Sequence, residues 1–184
     1  MILRTYKYRL YPTKKQEVLL AKHFGCTRWV YNWALAKKVA FWGKDKKGIS
    51  IFQIANELPK LKKQEETKWL AEVNAQALQQ SLMNLDRAFT SFFKKRGNFP
   101  RFKSRKDNRN SFQCPQKVDV DFNSNLIWLP KFKNGIKSVF DRQFEGKIKT
   151  VTISKTPTNK YFAAVLVEQA GEDPVKPEAT EDKA

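Results

Sequence analysis

The stretch YKYRLYPTKKQEVLLAKHFGCTRWVYNWAL, residues 6–35, decides the fold of this chain. Its first five residues, Tyr6 to Leu10, place apolar-leaning side chains at every second position, with Lys7 and Arg9 between them. This period of two predicts a half-buried strand whose outer face is basic. Helices are predicted directly after it, so we expect the strand to complete a sheet formed by strands further along the chain.

Two helices are predicted after this strand. Thr13 followed three residues later by Gln16 has the spacing of a capping box, which satisfies the first free amides of a helix. We expect this helix to end at Gly25 and a second helix to begin near Thr27. The result would be a helix-turn-helix over residues 13–42.

Helical and strand patterns occupy separate parts of the remaining sequence. From Asn74 to about Lys95, apolar residues recur at alternating spacings of four and three, which predicts an amphipathic helix capped by Asn74. From Ser111 onwards, short runs of alternating residues are typical of antiparallel strands. The pattern therefore indicates an α+β chain whose strands form a small barrel or sandwich.

Three segments resemble TnpB, the OrfB-type protein of bacterial insertion sequences, in the order in which that family has them. They are residues 6–35, residues 69–95 (WLAEVNAQALQQSLMNLDRAFTSFFKK) and residues 97–106 (GNFPRFKSRK). Such an ordered series is more specific than a lone helix-turn-helix pattern. The family is related to the type V CRISPR effectors.

The resemblance implies a wedge domain, a small antiparallel β-barrel similar to an oligonucleotide-binding fold, with a helical bundle inserted after its first strand. The expected parts are the first barrel strand at 1–12, a helical recognition domain at 13–107, the remaining barrel at 108–168 and an acidic flexible tail at 169–184.

The charge of the chain indicates its partner class independently of any family. Lys and Arg number 36 against 18 Asp and Glu, a formal charge of +18, and the chain also holds 24 aromatic residues. Residues 168–184 contain six acids and two lysines, which leaves +22 on residues 1–167. Such a charge favours binding to a polyanion, and nucleic acid is the usual one. A merely soluble basic surface is the alternative.

Several classes of protein and site are disfavoured. No apolar run reaches the ~20 residues of a membrane span, and no secretory leader is evident, so we expect a cytoplasmic protein of a bacterium or archaeon without a membrane partner. Cys26 and Cys114 lie far apart, and with His23 as the single histidine they predict neither a zinc ribbon nor another metal site. We expect His23 to end the first helix as a cation, and no cofactor.

Catalysis is not expected of this polypeptide alone. Members of the resembled family continue into a RuvC-like nuclease with metal-binding acids and a zinc-binding segment, and two-metal cleavage needs converging carboxylates. Asp119 and Asp121 share one face of a predicted strand and could in principle bind a cation, but solvent-facing acids that keep the strand soluble are the simpler interpretation.

The strongest recognition motif is NFPRFKSRKDNRN, residues 98–110, where cations alternate with Phe99 and Phe102. Dense cations neutralise phosphates, and exposed rings can stack on unpaired bases, although we expect both rings to fill the junction between helices and barrel. By resemblance, this junction would lie along a guide RNA and its hybrid with DNA. The expected backbone-binding residues here are Arg101, Lys103, Arg105, Lys106 and Arg109.

A second set consists of amide side chains, which pair well with an adenine edge in the major groove. By resemblance, this helical region and the adjoining barrel strand would read a short motif in double-stranded DNA beside the target. Ordinary surface glutamines are the alternative. The candidate residues are Asn56, Gln76, Gln79, Gln80 and Gln113.

A third set lies at the N-terminal strand and turn, where a basic face suits the backbone of a structured RNA. A charged edge that prevents strand aggregation is the alternative. The candidates are Arg4, Lys7, Arg9, Lys14, Lys15 and Arg28. Four tryptophans, Trp29, Trp33, Trp42 and Trp69, are interpreted as core.

The sequence thus predicts a nucleic-acid-binding N-terminal part of a TnpB-like RNA-guided DNA endonuclease, which binds a transposon-end guide RNA and a short DNA motif without catalysis. Three alternatives remain open. They are a simple helix-turn-helix DNA-binding transposase protein, an inactive remnant of a truncated gene, and a nuclease assembled with a separately encoded partner.

Overall fold

A computed structural model describes residues 1–45, 48–107 and 110–171 of the 184-residue chain, and their arrangement is α+β. No helix in these ranges is long and apolar enough to cross a membrane. The helices are α1 (Lys14–Asp45), α2 (Ile51–Ala55), α3 (Leu58–Leu61) and α4 (Ala75–Phe93), with 3₁₀ turns at Lys68–Glu72 and Arg105–Asp107. The strands are β1 (Ile2–Tyr11), β2 (Asn110–Cys114), β3 (Asp119–Asp121), β4 (Leu126–Trp128), β5 (Ile136–Val139), β6 (Lys147–Lys155) and β7 (Tyr161–Gln169).

The strands form one antiparallel sheet in the order β2-β6-β7-β1-β5-β4-β3, curled into a half-barrel. Strand β1 lies between β7 and β5, with Tyr8 opposite Ala163 and Arg9 opposite Val139. The prediction that the first strand completes a sheet formed later in the chain is therefore confirmed. Within the described ranges β2 and β3 are the two edges, so the sheet is an open half-barrel.

One continuous helix runs through residues 14–45, where the sequence predicts two helices separated at Gly25. The Thr13–Gln16 capping box is present, but α1 runs without interruption through Gly25 to Asp45, so the predicted break was wrong. Glycine inside a helix costs only about 1 kcal/mol relative to alanine, which packing easily exceeds. Residues on both sides of Gly25 are buried, including Phe24 and Cys26, and their packing keeps the helix intact.

Two hydrophobic cores are joined by α1 and α4. The N-terminal half of α1, with Leu20 and Phe24, packs into the sheet core, whereas Val30 and Ala34 belong to the helical core. Helix α4 divides in the same way, since Ala77 lies in the sheet core and its later apolar residues lie in the helical one. The sheet and the helices are thus coupled by two shared helices.

His23 lies inside this junction. The prediction that His23 ends the first helix as a cation was therefore wrong. Its side chain is fully buried, Nδ1–H donates to the Leu19 carbonyl at 2.8 Å, and Nε2 accepts from the backbone amide of Asn74 at 3.1 Å. Burial lowers the pKa of His23, so the neutral ring is favoured. The ring stacks on Phe112, with centroids 4.8 Å apart. A neutral histidine therefore ties α1 to the start of α4.

Helix α4 follows its prediction closely. Asn74 is the N-cap and accepts from the Gln76 amide at 3.2 Å, and Leu78, Leu82 and Leu85 are buried along one stripe. The capping of this helix is thus linked to His23, because Asn74 accepts from the Gln76 amide and donates its own backbone amide to His23.

The four tryptophans are less buried than predicted. Trp29, Trp33 and Trp69 are half-buried against the helical core, but Trp42 is 57% exposed, so its assignment to the core was wrong.

Candidate nucleic-acid interface

The basic segment 101–107 is attached to α1 by a two-way amide contact. The side chain of Asn32 donates from Nδ2 to the Lys103 carbonyl at 2.9 Å and accepts the Lys103 amide at 2.8 Å. The Lys103 ammonium lies 4.0 Å from the centroid of the Tyr31 ring. Partial desolvation of this ammonium lowers the pKa of Lys103, although the residue as a whole is exposed. One face of α1 thereby fixes the path of the segment.

The remaining cations of this segment point to solvent. Arg101, Arg105 and Lys106 are exposed, and the turn that presents the last two is closed by Asp107, which accepts the Ser104 amide at 2.7 Å. The structure therefore brings four of the five predicted cations together. The fifth, Arg109, lies outside the described residues.

The two aromatic rings of this motif differ in their packing. Phe99 is 47% exposed and meets Phe89 and Phe92 edge-on, at centroid distances of 5.5 and 5.3 Å. Phe102 is 60% exposed, so the expectation that it fills the junction was wrong. Its ring is available to a ligand, whereas Phe99 is held against the end of α4.

The basic face of β1 is organised by Phe162, which sequence reasoning missed. The Lys7 ammonium and the Arg9 guanidinium lie 4.6 and 5.1 Å from the centroid of this ring, and Arg9 also lies 5.4 Å from that of Tyr11. In the described part of the chain, Nη1 of Arg9 is enclosed and has no hydrogen-bond partner. The two cations are thus presented together on the outer face of the sheet.

Strand register connects this basic face to the edge strand β2. Gln113 pairs with Thr152, Thr152 with Ala164, and Ala164 with Lys7, so the four lie in one row across the sheet. Adjacent strands are about 4.8 Å apart, so Lys7 and Gln113 are roughly 14 Å apart. The neighbouring row contains Ser111, Ser154, Phe162 and Arg9. We call these two rows the outer sheet face.

A small cleft continues this face towards the helices. It has a volume of about 80 Å³ between α1, α4 and β2, and its lining includes Arg28, Asn84, Lys103 and Gln113. Arg28 also donates to Oδ1 of Asn110 at 3.3 Å, which holds it beside β2. The cleft therefore connects the basic segment to the outer sheet face.

The amide residues are only partly gathered. Gln76 donates to Oε1 of Gln116 at 2.8 Å, Gln80 is half-buried one turn later, and Gln113 lies in the cleft. Gln79 is exposed on α4, and Asn56 is an exposed residue that caps α2.

The other N-terminal candidates lie apart from the cleft. Arg4, Lys14 and Lys15 are all exposed. Lys14 pairs with Glu17 at 3.2 Å, and Arg4 lines a separate hollow beside Gly146 and Gly171. Of this set the structure places only Lys7, Arg9 and Arg28 with the surfaces described above.

The residues that sequence reasoning missed had detectable signals. Asn32 sits inside a helix, where asparagine is unfavourable unless its side chain has a specific partner. Phe162 is a large ring at a position that alternation assigns to the polar face of β7. Asn84 lies eight residues after Gln76, on the same side of α4.

Asp121 organises a turn. Its Oδ1 accepts the Asn123 amide at 2.9 Å and its Oδ2 accepts the Ser124 hydroxyl at 2.5 Å, and bonding to Ser124 lowers the pKa of the carboxyl. Asp119 is exposed and accepts the Val120 amide. Within the described ranges no three His, Cys, Asp or Glu side chains are grouped so that they could hold a metal ion.

Comparison with known proteins shows the family of the chain. A family model described as a helix-turn-helix domain, of the OrfB IS605 type, matches residues 1–47. Over 178 residues the chain is 36% identical to "Putative RNA-guided DNA endonuclease InsQ" of Escherichia coli K12, and this covers 97% of the chain. The chain belongs to the TnpB/OrfB family. The predicted resemblance is thus confirmed, although the matched residues 1–47 of this TnpB-type chain contain a strand and one long helix.

Two further relatives show how much of the family the chain represents. It is 37% identical over 169 residues to "Putative RNA-guided DNA endonuclease" of Streptomyces pristinaespiralis, which covers 91% of the chain. A 34% identical match over 114 residues to "Virulence protein VsdF" of Salmonella dublin covers 55% of the chain and 93% of that protein. The TnpB-type chain spans 44% and 42% of the lengths of the first two relatives, so it corresponds to an N-terminal portion.

Proposed function

We propose that this chain is a nucleic-acid-binding part of a TnpB-like RNA-guided DNA endonuclease, which binds guide RNA and a short DNA motif and has no catalytic activity by itself. The observation that carries the proposal is the attachment of the basic segment 101–107 to α1 through Asn32, beside a cleft that leads to the outer sheet face. The names of two relatives include RNA-guided DNA endonuclease, which supports RNA and DNA as partners.

The guide RNA backbone is assigned to the cations of the segment and of the sheet. Arg101, Arg105 and Lys106 are exposed, and Lys7 and Arg9 are held on Phe162, with Lys7 roughly 14 Å from Gln113 in the cleft. Cations spaced along a continuous surface match phosphates along an RNA helix, which proteins recognise mostly by shape. Each neutralised phosphate releases counterions, so binding should be strongly salt-dependent.

The DNA motif is assigned to the amides at the junction of α4 and β2. Gln76, Gln80 and Gln113 lie there, and Asn84 adds a fourth amide. Amide side chains can bond adenine in two places through the major groove. In this proposal the half-barrel is the wedge domain, residues 13–107 are the inserted recognition domain, and base pairing with the guide would read the rest of the target.

The test is a binding titration of the purified 184-residue chain. We expect an RNA transcribed from the transposon end to bind at least tenfold more tightly than a scrambled RNA of equal length at physiological salt. Equal affinity for the two RNAs would remove the guide-binding assignment. Tight binding to a duplex site with no RNA present would favour the simple DNA-binding alternative, and magnesium-dependent cleavage of DNA would contradict the absence of catalysis.

A matched pair of variants connects the result to the structure. Asn32→Leu removes both bonds to Lys103 and should weaken RNA binding, since the basic segment loses its fixed path. Gln79→Leu changes an exposed amide on α4 and should leave RNA binding unchanged. If both variants bind RNA like the parent chain, the segment is not the interface.

A further inference from the structure

A groove beside α1 lies next to the proposed interface and shares Arg28 and Asn32 with it. It has a volume of about 440 Å³, and its lining includes Lys22, Gly25, Trp29, Trp69 and Glu72. Small-molecule sites usually have about 300–1,000 Å³. The groove is therefore large enough for one planar ring.

Trp29 and Trp69 line the groove, and Trp29 is also stacked with Trp33. Trp29 and Trp33 lie nearly parallel, with an angle of 6° between their planes and centroids 6.2 Å apart, and Trp69 is T-shaped to Trp29, with centroids 5.4 Å apart. Helical side chains lean towards the N-terminus, so each residue covers the turn before it. Gly25 lies one turn before Trp29, as Trp29 lies one turn before Trp33, and both Gly25 and Trp29 line the groove.

Gly25 leaves the next place in this stack open. It has no side chain, and a Cβ built at this position would meet nothing within 4 Å. A larger residue here would stack on Trp29 as Trp29 stacks on Trp33. Glycine therefore leaves open space one helical turn from Trp29, at a position where the backbone conformation does not require glycine.

The polar residues around the groove suit a nucleobase attached to a phosphate backbone. Glu72 forms an ion pair with Lys22 and keeps further acceptor capacity for an amino group. Asn32 also lines the groove while it holds Lys103, so the basic segment runs along the rim. Arg28 adds a cation there.

We infer that this groove is a slot for one unpaired nucleobase of a bound nucleic acid, stacked between Trp29 and Gly25. The inference rests on the proposed function. Base stacking on an aromatic side chain tolerates every base, but the Glu72 carboxylate favours bases that carry an amino group. Cytosine should therefore be preferred to uracil.

The experiment uses the full 184-residue chain and a hairpin RNA with or without a three-cytidine bulge. The parent chain should bind the bulged RNA about tenfold more tightly and show quenching of tryptophan fluorescence. Gly25→Leu fills the slot and should lose both effects, while Gly25→Ala, which adds only a methyl group, should keep them. Thermal melting checks that both variants fold, which the open space around Gly25 predicts.

A second variant tests the polar edge of the slot. Glu72→Gln should reduce the preference for a cytidine bulge over a uridine bulge and keep the quenching. If the parent chain binds RNA but Gly25→Leu affects bulged and plain hairpins equally, the base slot is refuted and the proposed function stands. Equal binding of the two hairpins by the parent chain would also refute the base slot, whereas the proposed function itself fails if the parent chain binds neither these hairpins nor the transposon-end RNA.

Discussion

Removing three cations from the basic segment should lower the salt dependence of RNA binding by a predictable amount. Arg101, Arg105 and Lys106 are exposed, and in the part of the chain that the structure describes none of them pairs with a carboxylate. Replacing all three with glutamine should therefore leave the fold intact while removing up to three phosphate contacts.

The magnitude follows from counterion release. Each phosphate contact contributes about 0.7–0.9 to the slope of log affinity against log salt, so three contacts contribute roughly 2–3. If the slope for the variant is smaller by 2 than that for the parent chain, raising the salt from 50 to 200 mM should weaken RNA binding about 16-fold less in the variant than in the parent chain. Fluorescence anisotropy at five or six salt concentrations measures this directly.

A control variant separates a located interface from bulk charge. Lys60, Lys63 and Lys147 are also exposed, and their replacement by glutamine lowers the formal charge from +18 to +15 in the same way. We expect this control to keep nearly the full slope. If the two triple variants lose slope equally, net charge alone explains binding, and the reasoning from the segment is refuted.

Three further predictions concern stability, measured by chemical unfolding. Gly25→Ala should stabilise the chain by about 0.5–1 kcal/mol, because the added methyl group meets nothing within 4 Å inside a continuous helix. Gly146→Ala should destabilise the chain, because φ at Gly146 is +126°. Equal effects of the two substitutions on the free energy of unfolding would contradict the continuous helix. Burial lowers the pKa of His23 in the folded chain below its ordinary value of 6.5. The stability that the neutral ring contributes is therefore present above pH 6.5 and should be lost as the pH falls through the pKa of the folded state. An unchanged free energy of unfolding down to pH 5 would contradict the buried neutral state of His23. Leu82→Ala should cost about 2–5 kcal/mol and Gln79→Ala less than about 0.5 kcal/mol, and similar costs would contradict the packing of α4.

Strand and cap patterns predicted most of the fold because they depend on local chemistry. Alternation located β1, and the caps at Thr13 and Asn74 located the starts of α1 and α4. The error at Gly25 arose because a glycine stop signal was weighed without the packing on both sides of it. The order of the strands in the sheet depends on contacts distant in sequence, which periodicity does not specify.

The candidate site was predictable in charge but not in arrangement. The density of cations at 101–106 is visible in the sequence, whereas their attachment to Asn32 depends on a contact 71 residues away. His23 was misassigned for the same reason, since its partner, the Asn74 amide, is 51 residues away. Phe162 gathers Lys7 and Arg9 only because of the register between β1 and β7.

Hydrogen exchange with and without bound transposon-end RNA tests the central claim most directly. We predict that RNA slows exchange in residues 24–36 of α1 and in residues 98–107, with a smaller effect on β1, since the tethered basic segment and the adjoining cleft would be covered. Protection confined to other surfaces, with both of these segments exchanging as in the free protein, would contradict the account.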